Sequence, residues 1–170
     1  MATDLLWKSS LLTSATFLIN SNTGNETGFS ALSSGSAVVS SVSGTSGVFS
    51  PSTWGYGPFL GIEFNAGGSF TPGNAGALLG WFLRTFDGGT TYETGIGTPS
   101  TTVPYLARSP DFIIPLIGAA HASGNRVGAI GLVPTPPVSF KVAVQNMSGA
   151  ALPTSTTNWI KAVSTTLQGV

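Results

Sequence analysis

The chain has 170 residues, of which 7% are charged, with six Lys and Arg balancing six Asp and Glu. It therefore has no basic stripe to neutralise phosphates, which argues against nucleic-acid binding by counterion release and against attraction to an anionic membrane. The absence of cysteine excludes a disulfide framework, a thiolate zinc site and a catalytic thiol.

The 41% of hydrophobic residues suffice for the core of one full domain. With 23 glycines and 11 prolines but few charges, the exterior must consist mainly of Ser, Thr, Asn and Gly. Such groups leave water at lower cost than ammonium or carboxylate groups, so this skin suits lasting contact with other protein.

The opening MATDLLWKSSLLTSATFLINSN is interrupted by Asp4, Lys8 and several hydroxyl residues, unlike a secretory signal. No stretch reaches the roughly 18 to 20 apolar residues that cross a bilayer. Synthesis in a cytoplasm is expected, and the sequons at Asn25 and Asn146 read as chance. Residues 1–25 form either an N-terminal arm, whose Leu5, Leu6, Trp7, Leu11 and Leu12 dock on a neighbour, or the first strand of the domain. A short helix at Trp7 to Leu12 is a further option.

Residues 26–170 read as a single domain. Runs rich in Val, Ile, Phe, Trp and Thr predict strands at Ala15 to Ile19, Ser36 to Val42, Phe59 to Phe64, Ala77 to Phe86, Thr90 to Glu93, Phe112 to Ile117, Ala129 to Val133, Val138 to Asn146 and Trp159 to Thr166. Loop clusters separate them at Ser41 to Gly57, Asn65 to Gly76, Thr94 to Pro104 and Pro134 to Pro137. Within the first cluster, Trp54 and Tyr56 can cover the core, plug a neighbour's pocket or stack on a sugar.

In GALLGWFLRTFDGGTTYETG, bulky apolar residues occupy both phases of the alternation, so the strand is expected to be central. Asp87-Gly88-Gly89 then signals a hairpin. In VSFKVAVQN, Val138, Phe140, Val142 and Val144 are expected to face the core, and Ser139, Lys141, Ala143 and Gln145 to face water. The last run places Trp159, Lys161 and Val163 on one side and Ile160 and Ala162 on the other. Many short strands without long amphipathic helices predict an all-β, antiparallel β-sandwich of the jelly-roll kind.

Half of the charges, Glu63, Arg84, Asp87, Glu93, Arg108 and Asp111, lie between residues 63 and 111. Structural ion pairs are the expected use: Arg84 with Glu93 across the turn, and Arg108 with Asp111 or a carboxylate on the neighbouring strand. The alternative, a pair of glycosidase-type carboxylates, is the weaker account, because turn chemistry and ion pairing already occupy these groups. His121 is alone, whereas a metal site needs several convergent ligands, and no serine sits in a GxSxG elbow. No catalytic residue, cofactor or metal is expected.

The segments WFLRTFDGGTTYETG, LARSPDFIIPL and PPVSFKVAVQNMSGAAL resemble the pattern of small β-rich virion proteins of tailed bacteriophages. That pattern is an aromatic strand ending in a DGG turn and a Tyr-Glu pair, an Arg-x-Pro-Asp segment, and a late FKV strand running into an Asn and a Gly. The resemblance spans roughly residues 60–150. It implies a head decoration or cement protein, non-enzymatic, often jelly-roll-like, that binds the exterior of an icosahedral shell where capsid subunits meet. The expected partners are then the major capsid protein and further copies of the chain, as a homodimer or homotrimer. The alternative is a carbohydrate-binding tail or fibre module.

Overall fold

A computed structural model describes residues 5–9, 16–21, 29–40, 49, 59–87, 91–93 and 108–169. Among the described residues nine strands follow in chain order: β1 (Leu5–Ser9), β2 (Thr16–Asn20), β3 (Ala37–Val39), β4 (Phe59–Asn65), β5 (Ala77–Arg84), β6 (Phe112–Pro115), β7 (Arg126–Pro134), β8 (Phe140–Met147) and β9 (Trp159–Gly169). One sheet has the order β1-β9-β4-β7, with β2 also on β9, and the other β3-β8-β5-β6. All pairings are antiparallel.

β1 pairs with β9 from Leu5↔Gly169 to Ser9↔Thr165, and β2 from Thr16↔Ala162 to Asn20↔Trp159. Because β4 holds the opposite edge of β9, β1 and β2 are two lengths of one line of strand. Each sheet then has four lines, and the pairs are nested: β1 and β2 with β9, β3 with β8, β4 with β7, and β5 with β6.

This is the all-β, two-sheet sandwich that the strand-rich sequence predicts. In β4, Leu60, Ile62 and Phe64 enter the core, and in β9, where the sequence reading left the inward side open, Ile160 and Ala162 do so. β5 is central, between β8 and β6. Between the sheets Phe82 packs edge-on against Phe140 at 4.9 Å and at 5.4 Å from Phe112, while Phe64 lies 6.0 Å from Phe29 and 6.3 Å from Phe70.

Gly80 is needed where it stands, since a Cβ there would enter the ring of Phe112. That ring folds from the edge strand over the glycine into the core, so the missing side chain is replaced by an aromatic one from the neighbouring strand.

Three local expectations are corrected. Leu5–Ser9 is strand, not the start of a helix, because β9 offers a ladder partner that outweighs local propensity. Of the strand expected at Thr90 to Glu93, the described Thr91 to Glu93 is not strand; the Glu93 N–H donates to the Arg84 carbonyl. The Asp87 carboxylate accepts bonds from the backbone N–H and hydroxyl of Thr91 and from the hydroxyl of Thr85.

The outward row of β8 is the third correction. Phe140, Val142 and Val144 are in the core as expected, but Val138 precedes the strand and is half-buried, and the supposedly wet Lys141 and Ala143 are 8% and 0% exposed. A second apolar cluster of Val39, Trp81, Leu83, Tyr92 and Ala143 lies on that outer face, so both faces of this sheet are covered there.

Candidate functional site

The charged residues converge at the end of the β5–β6 pairing. β6 pairs with β5 only as far as Phe112↔Gly80, so beyond that point the edge of β5 would be left with bare polar groups, which are costly when buried. Side chains complete the ladder instead. The Phe82 N–H donates to Asp111 Oδ2 at 2.7 Å, and Arg108 Nη2 donates to the Phe82 carbonyl at 2.9 Å. The Asp111 N–H meets the Gly80 carbonyl at 2.8 Å, and Trp81 Nε1 donates to the Arg108 carbonyl at 3.1 Å.

Around this cap the four charges close a ring of alternating sign. Arg84 binds Glu93 at 3.1 Å and Asp111 at 3.3 Å, while Arg108 binds Glu93 at 3.3 Å and Asp111 at 2.9 Å. Both arginines therefore bridge both carboxylates. The Asp111 side chain is only 16% exposed, so its charge is held mainly by these partners and by the Phe82 amide.

Nothing in the ring resembles a working acid and base. Glu93 and Asp111 are each clamped by two guanidinium groups, Asp87 closes its loop, and Glu63 pairs with Arg126 at 3.1 Å. Among the described residues no three His, Cys, Asp or Glu gather as a metal site. His121 Nε2 lies 2.9 Å from the Ile117 carbonyl, and its backbone pairs with Phe70. Asn146 is fully buried: its amide nitrogen donates to the carbonyls of Leu32 and Ala150, and its oxygen accepts from the Ser148 N–H. The folded chain cannot present it to a glycan-transferring enzyme.

Of the apolar residues expected at an interface, Leu5, Leu6 and Trp7 lie in β1, paired with Gly169, Gln168 and Leu167. Leu11, Leu12, Trp54 and Tyr56 lie outside the described residues.

Lys141 is a group the alternation misplaces. Its ammonium sits 4.4 Å from the centroid of the Tyr92 ring, a cation–π contact that offsets part of its lost hydration. Burial pushes its pKa below the ordinary 10.5. Burial, and secondly the charge of Asp87, push the Tyr92 phenol above its ordinary 10.0. The sequence signal for Lys141 was the apolar outer phase of β5, Trp81 and Leu83, which required a cover.

The two shifts act on stability with opposite signs. Between the lowered folded pKa of Lys141 and 10.5 the unfolded chain binds more protons, so stability rises with pH. Above pH 10.0 the unfolded chain ionises its tyrosine first, and stability falls. Replacing Lys141→Met should stabilise the fold near neutral pH and abolish the rise. Thermal melts from neutral pH to 10.0 test this, and a parallel rise in the variant would refute it.

No family model matches the chain, and comparison with known proteins and with solved structures finds no significant match.

Proposed function

We propose that this chain is a non-enzymatic virion structural protein that decorates and cements an icosahedral phage capsid, bound to the outer surface where capsid subunits meet. The observation that carries the proposal is the handling of charge. A chain with only six acidic residues commits Glu63, Glu93 and Asp111 to ion pairs with Arg126, Arg84 and Arg108. Pairing these charges leaves few of them bare among the described residues, and a surface poor in bare charge is easier to desolvate against a lattice than a charged one.

We read the nested strand pairs as a jelly roll, an architecture common in viral coat proteins. A cement protein needs no chemistry. It stabilises a shell by binding the assembled lattice more tightly than the free subunits. Its site of action is the virion exterior, its partners the major capsid protein and further copies of itself, and no cofactor takes part.

The test is to add the purified protein to capsids lacking it. Saturable co-sedimentation and a higher temperature of capsid disruption are expected. Absence of both, with binding to a glycan array that Trp54→Ala removes, would replace this function by carbohydrate recognition at a tail or fibre.

A further inference from the structure

Leu132 stands out at the β4–β7 pairing. Leu60 lies opposite Val133 and Ile62 opposite Ile130, so Gly131 and Leu132 together face Gly61 in a β-bulge. Leu132 holds φ at +58° and is 56% exposed. That backbone region favours Gly or Asn and strains a leucine, and the exposed side chain is not stabilised by its own core. The fold alone would be better served by a small polar residue, although a glycine stands next to it at Gly131.

Across the bulge is the converse feature. Gly61 occupies the middle of β4, where glycine weakens a strand and often marks close approach by another chain. Among the described residues a Cβ built there meets only the Val163 carbonyl, at 3.9 Å, so they do not require the glycine. Gly61, Ile62, Glu63, Ala129, Ile130 and Val163 line a hollow of about 200 Å³, several times the ~30 Å³ share of one water in the liquid. Five of these residues are uncharged, and Glu63 is neutralised by Arg126, so an aliphatic side chain fits the hollow and a charged one does not.

We propose that Leu132 and the hollow beside Gly61 form a reciprocal contact between two copies of this chain. A knob and a hole at the same bulge are complementary to each other, and a two-fold axis between them makes each contact twice. Glu63 at the rim is already paired with Arg126, so this carboxylate does not meet its symmetry mate uncompensated. This deepens the function proposed above and rests on it only for taking a like copy as the partner. Self-association is read in the free protein, so its failure and that of capsid binding are distinguishable.

The experiment is sedimentation velocity over a concentration series, with thermal melts of each protein. The unaltered chain should dimerise with rising concentration. Leu132→Asn should weaken dimerisation at least tenfold while melting no lower than the parent at concentrations where both are monomeric, because the backbone strain is relieved. Gly61→Val should also weaken dimerisation, with its fold retained, by filling the hollow. A parent that stays monomeric at all concentrations, or variants that dimerise as well as the parent, would overturn the proposal. So would a Leu132→Asn protein that loses capsid binding with self-association unchanged, since the partner would then be a different protein.

Discussion

Asn158→Asp is expected to destabilise the protein by about 3–5 kcal/mol, the range seen when a buried charge is left without a counter-charge. Asn158 is 0% exposed. Its amide nitrogen donates to the Pro153 carbonyl at 2.8 Å and to the Phe29 carbonyl at 3.3 Å, and its side-chain oxygen accepts from the Gly67 N–H at 2.9 Å. The backbone N–H donates to Ser21 Oγ at 3.0 Å. Four separate parts of the chain thus meet at one amide just before β9. Aspartate keeps the shape but turns the double donor into an acceptor facing two carbonyls. Urea unfolding should show the loss with little change in slope, and a loss below about 1 kcal/mol would show that the amide is not the clasp.

Phe140→Ala is expected to have a similar effect, about 3–5 kcal/mol. The ring is 0% exposed and touches Phe82 on one side and, at 5.4 Å between centroids, Phe49 on the other. Truncation opens a cavity between the sheets that neighbours cannot fill without leaving the ladders around them: the Phe140 N–H and carbonyl are both bonded to the backbone of Phe49. For a domain of this size each kcal/mol lowers Tm by roughly 2–4 °C, so calorimetry should show a fall on the order of 10 °C. Phe140→Leu should restore most of the loss, and equal losses for both variants would argue against a cavity as the cause.

Much of the sheet architecture was legible because period-two alternation is set by the pleat itself. Phe140, Val142 and Val144 were assignable to the inner face on that ground alone. What the alternation could not reveal is whether the other face is wet. Lys141 and Ala143 have the outward phase but are covered, and the cover includes Tyr92, distant in sequence and brought near by loop geometry.

The ion pairs of Arg84 with Glu93 and Arg108 with Asp111 were anticipated from charge clustering. Their closure into one ring, and the use of Asp111 and Arg108 to finish the ladder of β5, depend on where β6 stops. No local pattern in the sequence encodes that stopping point. The bulge at Gly131 and Leu132 was likewise absent from the strand reading of Ala129 to Val133, since an extra residue in one strand shows only against its partner's register.

The position of β9 has a consequence for how the molecule is made. β1, β2 and β4 all find their ladder partner in this one strand, and it is the last of the nine to leave the ribosome. At about 5–20 residues per second, β4 waits on the order of ten seconds with one edge bare, and β1 and β2 wait longer. Nascent chains of this protein are therefore expected to engage holding chaperones until β9 has emerged.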